Sequence, residues 1–151
     1  AAIRMTLRQH PVSFLREELR ARGYLRAEDL WGIDQDGRAK CAGLVLVRQR
    51  PGSAKGVIFA TLEDETGVCN VVLWPKVFET FRRPFLQASL LGVTGWVQRD
   101  GLVLHLVAEK VEDLSPRLSK LQDQGAPRGL DNAMARADEV KRPIQEARNF
   151  H

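Results

Sequence analysis

Phe59-Ala60-Thr61-Leu62-Glu63-Asp64-Glu65-Thr66-Gly67 is the stretch on which the reading of the fold turns. Larger apolar and polar residues alternate as far as Leu62, and Asp64-Glu65-Thr66-Gly67 then supplies a tight hairpin in which glycine takes positive φ at no steric cost. Working outward, residues 41–50 (CAGLVLVRQR), 57–64 (VIFATLED), 68–74 (VCNVVLW), 90–98 (LLGVTGWVQ) and 102–111 (LVLHLVAEKV) are each strand-sized. They are rich in β-branched and large apolar residues, and turn residues separate them. Asp100-Gly101 marks a second hairpin. Between the third and fourth runs the period changes, with Val77, Phe78, Phe81 and Phe85 near helical spacing and Pro75 suited to a first helical turn.

Five strands with a helix between the third and fourth predict a mainly β fold, a five-stranded OB-type barrel capped at one end by that helix. Short N- and C-terminal helices flank it. The chain of 151 residues can bury one core, and the strands occupy only its middle half. The expected division is a helical lead-in over 1–38, the barrel over 39–114, and a linker, weak helix and tail over 115–151. In the lead-in, Pro11 opens an amphipathic helix with Val12, Leu15 and Leu19 on one stripe and Gly23 as its stop. Residues 27–31 add a further turn, and Asp34-Gln35-Asp36-Gly37 turns into the first strand. Residues 115–129 read as linker. Leu130, Ala133, Met134, Ala137 and Val140 then share a weak helical face before Pro143.

No apolar run approaches membrane-spanning length, and no charged region followed by an apolar signal stretch opens the chain. A soluble, cytoplasmic protein is expected. Cys41 and Cys69 both fall inside strands with no histidine at metal-ligand spacing, which favours buried reduced thiols. No cofactor is expected for this chain. Asp34-x-Asp36 imitates an acidic metal motif but lies in a glycine-containing turn, and no catalytic triad or phosphate-binding glycine loop is present.

Charge is informative by position. Lys and Arg exceed Asp and Glu by only four, 23 against 19, a weak nucleic-acid signal by itself. Yet residues 37–62 contain Arg38, Lys40, Arg48, Arg50 and Lys55 and no acid. Arg48, Arg50 and Lys55 flank the loop joining strands one and two, and Arg99 lies in the hairpin joining strands four and five. Those are the two loops with which such barrels embrace a nucleic-acid strand.

Strand parity selects a face. With Ile58, Ala60 and Leu62 inward, Phe59 and Thr61 point out; with Cys69, Val71 and Leu73 inward, Asn70, Val72 and Trp74 point out. Base stacking on an exposed ring contributes on the order of 1 to 3 kcal/mol per base and tolerates any sequence, so this face suits a single strand. The competing structural reading is that flanking elements cover Phe59, or that a one-residue slip puts it in the core. Trp74-Pro75 equally serves to anchor the helix.

Ala42-Gly43-Leu44-Val45-Leu46-Val47-Arg48-Gln49-Arg50-Pro51-Gly52-Ser53-Ala54-Lys55-Gly56, the run from Phe59 to Gly67, and Trp74-Pro75 with Val77-Phe78-Glu79 closely resemble the C-terminal OB region of bacterial error-prone DNA polymerases of the DnaE type, in family C. His10-Pro11 and the ending Ala147-Arg148-Asn149-Phe150-His151 are similar to that family's flanks, whereas residues 122–140 depart from it. The resemblance implies a fragment of a larger magnesium-dependent polymerase whose catalytic carboxylates lie in a palm domain outside this chain. It also implies translesion synthesis in damage-induced mutagenesis beside a Y-family-like partner, a RecA-like partner and the sliding clamp.

Two functions follow. One is a module that holds single-stranded template DNA near the polymerase active site, with Arg48, Arg50, Lys55 and Arg99 on phosphates and Phe59, Thr61, Asn70 and Trp74 on bases. The other is a protein-docking module that recruits mutasome partners without appreciable DNA binding. A third, the anticodon-binding barrel of a tRNA synthetase, shares the Leu-Glu-Asp-x-Thr-Gly turn but not the Arg-Gln-Arg-Pro-Gly loop.

Overall fold

A computed structural model describes residues 10–50 and 55–123. The weak helix expected near residues 130–140 and the basic, aromatic terminus lie outside the described residues, as does the centre of the loop after the first strand.

The chain enters through a 3-10 turn, Pro11–Leu15, that runs into helix α1 (Arg16–Ala21), and a second 3-10 turn, Ala27–Gly32, follows. Pro11 sits at the first position, where its missing N–H costs nothing, and the His10 ring accepts from Val12 N. Among the described residues, β1 (Arg38–Gln49), β2 (Ile58–Asp64), β3 (Gly67–Leu73), β4 (Leu90–Asp100) and β5 (Val103–Asp113) close a barrel in the order β1-β2-β3-β5-β4. Every neighbouring pair is antiparallel except β3 and β5. A parallel joint needs a crossover, and here the crossover carries helices α2 (Pro75–Thr80) and α3 (Arg82–Gln87).

The expected OB-type barrel is therefore present, with two differences in its helices. The single helix expected over residues 75–85 is two, broken at Phe81, whose φ of −113° and ψ of 26° leave the helical region. Restarting at Arg82 puts Pro84 in a first turn, where no intrahelical donor is required of it. Secondly, the expected linker begins with helix α4 (Ser115–Asp123). Ser115 Oγ accepts from Ser89 N at 2.7 Å, and Leu114 and Leu118 are buried, so a segment that reads as polar is held by a few apolar anchors.

The interior is filled by the inward residues of each strand, among them Ile58, Ala60, Leu62, Cys69, Val71, Leu73, Val93, Val97 and Leu106. Phe78 and Phe85, packed edge-on with centroids 5.8 Å apart, belong to this core at the α2–α3 end. Ala27 and Leu30 join it from the second 3-10 turn. Cys41 and Cys69 are buried free thiols; the hydrogen bond between them, and then burial, push the Cys41 thiol well up. At Gly95 the register of β4 shifts against β5, and a Cβ there would lie 1.8 Å from Val107 O, so only glycine lets the strands approach.

A second apolar cluster lies outside the barrel wall. Val12, Leu15, Leu19 and Tyr24 of the lead-in pack with Ala42, Leu44, Leu90, Leu114 and Leu118. Arg16 fixes this arrangement, donating from Nε and Nη2 to Glu65 at 2.7 and 2.9 Å and reaching Asp64 at 3.5 Å. Asp64 in turn accepts from Ala27 N, Thr66 N, Thr66 Oγ1 and Gly67 N, tying the β2–β3 turn to the lead-in. These contacts cover the first half of β1, the start of β4 and the end of β5. The outward residues of β2 and β3 beyond Glu63, namely Phe59, Thr61, Asn70 and Val72, stay partly exposed.

Candidate nucleic-acid interface

The parity of β2 and β3 is the expected one. Ile58, Ala60, Leu62, Cys69, Val71 and Leu73 are buried, while Phe59, Thr61, Asn70 and Val72 are partly exposed on the other side. Register assembles the face: Thr61 is opposite Asn70 and Phe59 opposite Val72 on β3, while Gln49 and Val47 of β1 flank Phe59 and Thr61. On the far side of β3, Asn70 is beside His105 of β5, which faces Gln98 of β4. The Phe59 ring leans across β3 toward His105, with centroids 6.3 Å apart and planes tilted by 55°. An aromatic pair thus lies between the loop after β1 and the β4–β5 hairpin, ringed by amide and hydroxyl side chains. Rings offer stacking surfaces, and Thr61, Asn70, Gln49 and Gln98 offer donors and acceptors to base edges.

Trp74 continues the outward line of β3 and is 44% exposed. It also occupies the position before α2, its carbonyl accepting from Phe78 N, so it both starts the helix and presents its ring. Lys55 and Arg50 are exposed at the two stems of the β1–β2 loop. That loop returns against α2, since a Cβ on Gly56 would lie 3.4 Å from Pro75 Cγ.

Two of the expected cations sit elsewhere than on an open phosphate-binding surface. β1 carries a bulge between Val45 and Val47, where Val45 faces Leu62 but Val47 faces Thr61. The extra residue reverses parity, leaving Val47 43% exposed and turning Arg48 inward to 5% exposure. Arg48 Nε donates to Phe85 O at 2.9 Å and Nη2 to Ala88 O, so the guanidinium serves the last carbonyls of α3. Burial pushes its pKa down to about 10. Arg99 donates through Nη2 to Trp31 O and Ile33 O, and its backbone exchanges hydrogen bonds with the Gln35 amide. It pins the β4–β5 hairpin to the lead-in. The positive φ of Gly101, 65°, makes that hairpin's turn.

Sequence reasoning passed over Gln49, Gln98 and the cations of α2 and α3. His105 was accessible by parity, because Leu104 and Leu106 are inward. Asp34 and Asp36 lie in an exposed turn, and among the described residues no group of three His, Cys, Asp or Glu side chains could hold a metal ion. Nor, among them, is any helix long and apolar enough to cross a membrane.

A family model described as the OB-fold nucleic acid binding domain matches residues 39–114. The error-prone DNA polymerase of Ruegeria pomeroyi is 46% identical over 154 residues, covering 99% of this chain and 13% of that protein. The error-prone DNA polymerase of Bradyrhizobium sp. strain ORS 278 is 51% identical over 80% of this chain and 10% of its own length. Among solved structures, asparaginyl-tRNA synthetase from Pyrococcus horikoshii complexed with asparaginyl-adenylate matches with a TM-score of 0.47 and 22% identity, over 70% of this chain and 26% of that one. The chain thus spans about an eighth of the length of the curated relatives it matches. By the match over its barrel it belongs to the family of OB-fold nucleic acid binding domains, and by identity over nearly all its length it is similar to the OB-fold region of bacterial error-prone DNA polymerases.

Proposed function

We propose that this chain is a cytoplasmic accessory module of an error-prone translesion DNA polymerase, holding single-stranded template DNA near the polymerase active site during damage-induced mutagenesis. The observation that carries the reading is the Phe59–His105 pair, set on a face that, among the described residues, neither the lead-in nor α4 covers. Exposed Arg50 and Lys55 border it and supply phosphate contacts, while Thr61, Asn70 and Trp74 complete the base-facing set. Arg48 and Arg99 leave the set, since their guanidinium groups bond to backbone carbonyls. The parent protein is on this reading a magnesium-dependent DNA-directed DNA polymerase whose catalytic residues lie outside this chain. Its partners are a Y-family-like protein, a RecA-like protein and the sliding clamp.

Docking to such a partner is the second reading. One feature favours it: Leu102 is 96% exposed at the tip of the β4–β5 hairpin, beside exposed Val103. Titration of labelled single-stranded and duplex DNA across a range of salt concentrations, beside a pull-down of the partners, separates the two. Single-strand preference with a log–log salt slope of about −0.7 per phosphate contact supports the first reading. Equal affinity for duplex counts against the first reading, and partner retention without DNA binding supports the second.

A further inference from the structure

Arg50, just past the end of β1, and Arg82, at the start of α3, converge on one aromatic ring. Their guanidinium carbons lie 5.2 and 5.7 Å from the centroid of Phe78, which is itself buried in the barrel core. The ring attracts both cations, and none of the described ion pairs includes either of them. The only acid between Trp74 and Gln87 is Glu79, against Lys76, Arg82 and Arg83. Phe78 is held in place by Phe85 at its edge, so the two cations are drawn toward a fixed support before any anion arrives. Guanidinium groups present planar forks that match phosphate oxygens.

We propose that Arg50 and Arg82 form a backbone-phosphate site around Phe78, which carries a bound single strand off the barrel face and onto α2 and α3. This rests on the single-strand reading and extends it. The route is continuous, because Arg50 follows Gln49, the β1 neighbour of Phe59, and Trp74 stands between β3 and α2.

The test measures the salt slope of binding to a labelled oligothymidylate of about 16 nucleotides, at the long end of OB-fold footprints. Arg82→Ala is expected to flatten the slope by about 0.7, so the affinity lost between about 50 and about 200 mM salt shrinks about 2.6-fold. Arg82→Lys, which keeps the charge, restores the slope. Arg20→Ala, which removes an exposed cation from α1, leaves it unchanged. Phe59→Ala weakens binding at unchanged slope, because stacking releases no counterions. A slope unaltered by Arg82→Ala while Phe59→Ala weakens binding overturns the phosphate site and leaves the single-strand reading standing. Equal flattening by Arg20→Ala overturns it too, by reducing the effect to net charge. Absence of binding by the unaltered chain overturns the reading and the site together.

Discussion

Replacing Arg48 with alanine separates a structural cation from a phosphate ligand. The side chain is buried over the Phe85 ring, 5.7 Å from its centroid, and donates to the carbonyls of Phe85 and Ala88. Each buried carbonyl that loses its donor costs on the order of 1 to 3 kcal/mol, and the lost stem adds packing to the deficit. Part is recovered, since the charge no longer has to be desolvated, the same cost that pushes its pKa down to about 10. The net expectation is a loss of about 2 to 4 kcal/mol. For a fold of this size that lowers the melting temperature by about 10 °C. Urea denaturation with a tryptophan signal measures it, and Arg48→Met, which keeps the stem but not the donors, should lose about half as much. The salt slope for DNA should be unchanged in the folded fraction. A variant within about 1 kcal/mol of the unaltered protein, with a slope flatter by about 0.7, would refute the assignment and return Arg48 to the phosphate-binding set.

Three further outcomes are expected. Phe59→Ala should weaken single-strand binding by about 1 to 3 kcal/mol, or roughly 5- to 150-fold, in an anisotropy titration, with little change in melting temperature; an unchanged affinity removes the ring from the interface. Asp64→Ala, which strips the acceptor from Ala27 N, Thr66 N and Gly67 N, should cost about 3 kcal/mol in urea denaturation, and a loss under about 1 kcal/mol would show that the lead-in is held otherwise. Burial first, and the Glu112 carboxylate second, raise the Tyr24 pKa well above its ordinary 10.0. That stabilisation is present below pH 10 and lost as pH rises past it, because the unfolded chain ionises first. Arg48, lowered in the fold, pulls the other way over the same interval in both proteins, so the difference isolates Tyr24. Tyr24→Phe should therefore lose stability less steeply above pH 10, and parallel declines would contradict the account.

The barrel was legible because its strands announce themselves twice, by alternation and by the glycines that end them. The inward set of β2 and β3 follows directly from that alternation, and so does the outward position of Phe59. Arg48 was assigned by its place beside the loop alone, and the bulge at Leu46 is what turns it inward. A bulge depends on how the neighbouring strand is met, and nothing in Leu46 or Val47 marks it locally. Arg99 is a related case. Its position in the hairpin was right, but its partners are carbonyls of the lead-in, some 66 residues earlier, which only the folded chain brings within reach. Helix α4 was hidden by composition, since two leucines among Ser, Pro and charged residues look like linker until the pocket they fill is known.

Backbone amide NMR of the labelled chain, recorded as a short oligothymidylate is added, tests the central claim most directly, because it reports where the strand lies rather than how tightly. The account predicts the largest shifts at Phe59, Thr61, Asn70, Val72 and His105, with Arg50 and Trp74 also moving and the amides of α1 and α4 silent. Shifts concentrated on α1, α4 or the wall of β1 and β4 that they cover, with Phe59 and His105 unmoved, would contradict it.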